Sequence, residues 1–340
     1  MQSEADLEGA YRFANNVAVD PQQLFDALAA SAARRAEEAG AVLVIHDTTT
    51  CSFEHADPRE VGYLSTGKAG FFPHYALVLE AKQWRRPLGV VHIENLSRKK
   101  FSKRGRKNKA SGSQTASWKD RESARWSRGI DASAEMLTKC QSVCHIADRE
   151  GDSYALLASM VSKGLTFVVR VNHNRKVGDP DDLAEQWLPI KERVRGLRGI
   201  FEREVPVSER KRSSAPRANK GRPVRNARLA QLSFSATSVV VKRPRYLEEP
   251  IPRTLTLNVV HVHELAPPPN EPAVEWLLFT TLPVATAKQV ALIVDNYRAR
   301  WTIEEFNKAL KTGCAYESRE FESLHALLII LAITVAAHAA

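Results

Sequence analysis

Hydrophobic and polar positions alternate along this chain with two periods, and the changes of period mark its elements. Residues 21–39, PQQLFDALAASAARRAEEA, place apolar residues at helical spacing and stop at Gly40, so they read as a helix with a glycine end. AVLVIHDTTT follows, a short apolar run broken at Asp47; continuous Val, Ile and Leu of that length predicts a strand buried on both faces. Two more β-type runs, Tyr75–Ala81 and Leu88–Glu94, flank the turn RRP at Arg85–Pro87. Helical spacing returns over Ser117–Lys139, and VCHIADRE is a second strand ending in an acid, Asp148. SYALLASMVSKG reads as a helix closed by Gly164, and LTFVVRV as another strand.

Meandering strands followed by helix-linked strands define an α/β arrangement with both sheet faces covered. From about Asn172 to Thr281 that order is interrupted by alternating segments such as RTLTLNVVHVH and EWLLFTTL, which predict an inserted β-rich subdomain. A helical pattern resumes at Ala287 and is expected to run to Lys311, and a last apolar helix begins near Phe321. The domain reading is a helical region over 1–40, the first part of an α/β core over 41–171, the β insertion over 172–283, a core helix over 284–320 and the start of another helical region over 321–340.

Charge adds a partner. The 340 residues carry 49 Lys and Arg against 39 Asp and Glu, a net +10. Between Arg98 and Arg128 the count is 12 against 2, and between Ser208 and Arg228 it is 8 against 1, so the rest of the chain nets −7. An excess held in two blocks points to a polyanion, most simply nucleic acid; solvated loops are the plainer alternative. The apolar fraction of 44% rules out a disordered chain, and no apolar run is long enough to span a bilayer. Cys51, Cys140, Cys144 and Cys314 lack zinc-ribbon spacing and read as free thiols. The first residues lack a signal-peptide pattern, which predicts a reducing, cytoplasmic setting.

Asp47 and Asp148 each end an apolar strand, where α/β sheets place functional groups, although a capping acid looks the same from sequence. The third acid is in YRARWTIEEFNKALKTG. On one continuous helix Tyr297, Arg300, Glu304, Lys308 and Lys311 would share an arc of roughly 80°, opposite Ala299, Ile303, Phe306 and Leu310. An ordinary amphipathic helix with a Glu304–Lys308 pair has the same pattern.

HDTT at the first acid, ADREGD at the second, FVVR on the next strand and the ordered Tyr297, Arg300, Glu304, Lys311 spacing together resemble the bacterial cut-and-paste DDE transposases. Within them the similarity is to the insertion-sequence-four group of the transposon-five type. EGAYRF at Glu8–Phe13 and EWLLFTT at Glu275–Thr281 extend it to about positions 8–325. The resemblance implies a ribonuclease-H-like mixed sheet with flanking helices and a β insertion between the second Asp and the Glu.

It also implies the chemistry. Two Mg²⁺ ions, or Mn²⁺, would be held by three carboxylates because these are hard ions that prefer oxygen. Asp47 would bridge the pair, with Asp148 and Glu304 holding one each. The DNA would be double-stranded, comprising transposon ends and target, cut and rejoined by way of a hairpin. Arg170, Tyr297, Arg300, Lys308 and Lys311 would meet phosphates, and Trp276 would take up a flipped base, although a core Trp at a strand start fits equally. His46 is read as a packing or supporting residue, and Glu150 and Asp152 as caps or supporting acids. Relatives carry a helical end-recognition domain before EGAYRF and a C-terminal pairing domain that joins a homodimer, so the chain is expected to be shortened at both ends. The competing readings are an inactive DNA-binding remnant that interferes with intact transposase, and a ribonuclease-H-like nuclease without end specificity.

Overall fold

The computed structural model describes residues 4–82, 85–99, 122–181, 187–209, 224–248 and 250–339. The chain folds into two compact units: residues 1–147 with 298–340 form the first, and 148–297 the second.

In chain order the first unit begins with α1 (Glu4–Ala14), α2 (Pro21–Ala39), β1 (Ala41–Thr48), β2 (Cys51–Ser52), α3 (Pro58–Val61), β3 (Gly70–Glu80), β4 (Pro87–Leu96), α4 (Arg125–Met136) and β5 (Ser142–Ala147). The second unit holds α5 (Tyr154–Ser162), β6 (Thr166–Arg170), β7 (Lys176–Gly178), β8 (Leu188–Pro189), α6 (Ile190–Arg195), β9 (Phe201–Val207), β10 (Arg228–Lys242), β11 (Thr254–Glu264), β12 (Glu275–Thr280) and most of α7 (Ala287–Arg298). The chain then returns to the first unit with α8 (Trp301–Lys308), a π-helical turn (Ala309–Gly313) and α9 (Leu324–Ala339).

The first unit's sheet is mixed. β1 pairs antiparallel with β3 and parallel with β5, and β3 pairs antiparallel with β4. The central strand β1 is therefore bonded on both edges, which explains its unbroken apolar run. α2 starts at Asp20, whose side chain accepts from Gln22 N, has Pro21 in its first turn and ends at Gly40 with φ +75°. Its small residues Ala32 and Ala36 pack on Val42, Val44, Ala76, Val78, Leu88 and Val91. The close approach needs Gly89 on β4, where a Cβ would lie 2.8 Å from that of Ala32.

The second unit is built on the β10–β11 hairpin, with the antiparallel order β6–β12–β11–β10–β7–β8 and β9 also paired to β10. Among the described residues no helix is long and apolar enough to cross a membrane. All four cysteines are free, and burial pushes the thiols of Cys51 and Cys144 up to about 12.

One element differs from its expectation. The helix expected from Ala287 to Lys311 is interrupted: α7 ends at Arg298, α8 begins at Trp301, and the tail widens into the π-helical turn. Arg300 keeps helical angles, φ −52° and ψ −28°, so the pattern runs on through a change of hydrogen bonding that periodicity does not register. Tyr297 therefore belongs to α7, and Glu304 and Lys308 to α8.

Candidate active site

In the first unit, β1 delivers Asp47 half-buried at its C-terminal end, one carboxylate oxygen accepting from Thr48 N at 2.9 Å. Side chains alternate along a strand, so Asp47 and Thr48 look to opposite sheet faces. On the Asp47 face its cross-strand partner is Tyr75, whose buried ring meets Phe306 of α8 edge-on at 5.5 Å. Burial pushes the Tyr75 hydroxyl well above its ordinary range, with the charges of Cys51 and Asp47 adding to the effect.

Phe306, Ile303 and Leu310 are buried, and they seat the helix that carries Glu304. The Glu304 carboxylate is 45% exposed and accepts from Arg300 at 3.0 Å. Lys308 is exposed, and the Lys311 ammonium donates to the carbonyl of Thr50, just beyond β1.

The Thr48 face is different in kind. Four strands each contribute one imidazole, His145, His46, His74 and His92, and the His46 ring stacks on those of both His145 and His74. His46 Nε2 and His145 Nδ1 are 3.0 Å apart. Burial lowers His46 well below its usual value, with His145, His74 and His92 adding to the effect, and lowers His74 to about 3 and His145 to about 4. The His46, His74 and His145 rings are neutral packing groups near pH 7.

Asp148, the residue after β5, belongs to the second unit. It is half-buried and caps a 3-10 turn, Arg149–Gly151, by accepting from Glu150 N at 2.8 Å. Asp152 at the end of that turn is fully buried. It accepts from Asn172 N at 2.7 Å, His173 N at 2.9 Å and the Arg175 guanidinium at 2.8 Å. Arg175 also donates to the Asp152 carbonyl at 2.6 Å. This pair ties the turn bearing Asp148 to the chain leaving β6.

Arg170 ends β6 and donates to the Glu275 carbonyl at 3.3 Å. Trp276 is half-buried on β12, its ring centroid 5.8 Å from that of Tyr297 in an edge-to-face contact, and Tyr297 is only 5% exposed. Glu275 also lies 3.4 Å from His261 and 3.9 Å from Lys191. Exposed Arg149 joins this group. Partial burial lowers its guanidinium, and the neighbouring charge of Arg170 lowers it further, opposed by Tyr297, Asp148 and Glu275. Sequence reasoning passed over Arg149, although its place beside Asp148 was the available signal.

The first unit thus holds Asp47, Arg300, Glu304, Lys308 and Lys311, and the second holds Asp148, Arg149, Arg170, Trp276 and Tyr297. Carboxylate oxygens, such as those of Asp47 and Glu304 in the first unit, are the donor type a hard divalent cation takes. Among the described residues no group of three or more His, Cys, Asp or Glu side chains is gathered to hold a metal ion. Both basic blocks lie largely outside the described residues. Their described ends are engaged within the protein, Arg98 with Glu122, Arg128 with Glu94 and Arg228 with Glu264.

A mixed sheet with flanking helices, carrying acids at the end of β1 and just past β5, is the ribonuclease-H-like architecture of DDE recombinases. The family model for the transposase DDE domain matches residues 129–339, a span that includes Asp148 and Glu304 and begins after Asp47. That span is more than half of the chain, which belongs to the DDE-domain transposase family.

Proposed function

We propose that this protein is the catalytic core of a cut-and-paste transposase of the insertion-sequence-four group, transposon-five type, acting on double-stranded DNA in a bacterial cell, at the nucleoid. The observation that carries the reading is the placement of acids in the first unit. Asp47 is the last residue but one of the central strand, and its cross-strand neighbour Tyr75 packs on the helix that bears Glu304.

Asp47, Asp148 and Glu304 would hold two Mg²⁺ or Mn²⁺ ions, which stabilise the attacking and leaving oxygens of an in-line displacement. Water attack at phosphorus breaks the bond to the 3′ oxygen and leaves a 3′-hydroxyl. That hydroxyl attacks a phosphorus of the opposite strand and expels the 3′ oxygen of the flanking DNA, making a hairpin; water at the same phosphorus frees the 3′-hydroxyl again, and this hydroxyl attacks a target phosphorus and expels a target 3′ oxygen. Arg300, Lys308 and Lys311 supply cations beside Glu304 and hold backbone phosphates without reading sequence. In the second unit Arg149 and Arg170 hold the phosphates next to a base stacked on Trp276. Tyr297, being buried, supports the Trp276 ring from its edge. A homodimer would bring two transposon ends together.

Duplex DNA bearing the element's ends, incubated with and without Mg²⁺ or Mn²⁺, tests the reading. Metal-dependent nicking that is lost in Asp148→Ala is the expected result. Binding without product at any metal concentration would refute catalysis.

A further inference from the structure

We propose that Thr48 is a positioning residue for Asp47, with its hydroxyl clamped between Arg125 and His74. The inference rests on reading Asp47 as a metal-holding carboxylate.

Thr48 is the last residue of β1; the Thr49 N–H still donates to the Pro73 carbonyl at 3.1 Å before β2 pairs with β3 again. The Thr48 hydroxyl oxygen accepts from Arg125 Nε at 2.8 Å and shares a hydrogen bond of 2.9 Å with His74 Nδ1. Both partners are fixed. His74 is the cross-strand neighbour of Thr48, is fully buried, and has Trp126 of α4 edge-on at 4.9 Å. α4 comes this close because residue 129 is glycine, where a Cβ would stand 2.8 Å from His74 Nε2. The Arg125 guanidinium is held in turn by the carbonyl of Glu122 at 2.8 Å.

The other end of Thr48 reaches the site. Its backbone N–H is the donor to the Asp47 carboxylate at 2.9 Å. The direction of that N–H is that of the Asp47–Thr48 peptide plane, set by ψ of Asp47 and φ of Thr48, and the clamp on the Thr48 side chain restrains that plane where β1 ends. Asp47 faces one side of the sheet and Thr48 the other, so α4 acts on the carboxylate through the strand. A carboxylate held in this way is presented in one orientation, as a bound cation requires, and loss of such support typically costs about 10- to 100-fold in metal affinity.

The test compares the parent protein with Thr48→Val, Thr48→Ser, Asp47→Ala and a stability control, Ile130→Ala. Ile130 is a buried α4 residue with no part in the clamp. Two readouts are taken: the Mn²⁺ concentration giving half-maximal nicking of supercoiled plasmid, and the rise in melting temperature on adding Mn²⁺. Thr48→Val should need about tenfold more Mn²⁺ and show a smaller Mn²⁺-induced rise, by the same loss of support. Thr48→Ser restores the hydroxyl and should lie within about twofold of the parent. Ile130→Ala should melt lower but keep the parent's Mn²⁺ response. Parent-like behaviour of Thr48→Val, with both readouts lost in Asp47→Ala, overturns the positioning role and leaves the metal reading standing. A parent that does not nick, or an Asp47→Ala that responds to Mn²⁺ like the parent, overturns the metal reading and the positioning role with it.

Discussion

Replacing Asp152 by alanine should loosen the turn that carries Asp148 more than any other single truncation in the second unit. The side chain is wholly enclosed, and its two oxygens serve two backbone N–H groups and a guanidinium that is itself 7% exposed. Removing the acid leaves the Arg175 charge buried without its counter-ion, a change that costs about 3–5 kcal/mol where one partner of such a pair is deleted. The orphaned N–H groups of Asn172 and His173 add roughly 1–3 kcal/mol each unless water reaches them. These terms share atoms and do not sum, so a loss of about 4–6 kcal/mol is expected. For a unit of this size each kcal/mol shifts the midpoint by about 2–4 °C, so melting should fall by about 8–24 °C.

The assay is urea unfolding combined with hydrogen exchange of peptides spanning residues 148–175. Asp152→Ala should lower the transition and speed exchange there before elsewhere. Pairing it with Arg175→Met removes the stranded charge, so the double variant should recover about 2 kcal/mol or more of the loss. A single variant that loses less than about 1 kcal/mol, or a double variant whose cost is additive, refutes the argument that this pair holds the turn.

The imidazoles give the first unit an acid limit. His74 and His145 have folded values of about 3 and 4 because they are buried neutral, whereas an unfolded chain takes up protons near pH 6.5. The unfolded state then binds more protons, and stability falls as pH drops from about 6.5 towards 4, by up to about 3 kcal/mol for one ring; urea midpoints that stay level between pH 7 and 4.5 would contradict this. Gly129→Ala should lower the urea midpoint despite the better helix propensity of alanine. Its Cβ would lie 2.8 Å from a His74 ring that is fully buried, and overpacking of this kind costs about 1–3 kcal/mol. A midpoint at or above the parent's would mean that the ring can move aside.

Much of this fold is legible in the chain because its signals are local. The run AVLVI before Asp47 marks the central strand, and Asp20, Pro21 and Gly40 mark the ends of α2. Asp47, Asp148 and Glu304 stand out for the same reason, as acids placed after apolar segments or one turn into an amphipathic one. What depends on register was hidden. His46, His74, His92 and His145 each sit in an apolar run, but their alignment in one row follows from strand pairings that no single segment encodes. Asp152 reads as a cap until Arg175, 23 residues away, is found against it. The break at Ala299–Arg300 escaped because both residues keep helical burial or angles while the hydrogen bonding changes.

The division of the chain has a consequence for synthesis. Residues 148–297 are inserted between β5 and the helices that complete the first unit, so α8 and α9 leave the ribosome only after the whole second unit. Closing a loop of that length costs on the order of 4 kcal/mol of chain entropy, recovered when Phe306 reaches Tyr75 and α9 packs on α2 and β4. Until then Tyr75 and the α9-facing side of α2 lack their cover, and the nascent first unit is an open half-core that presents apolar surface to the cell. The helix that bears Glu304 therefore reaches the sheet that bears Asp47 only after the whole second unit has been made.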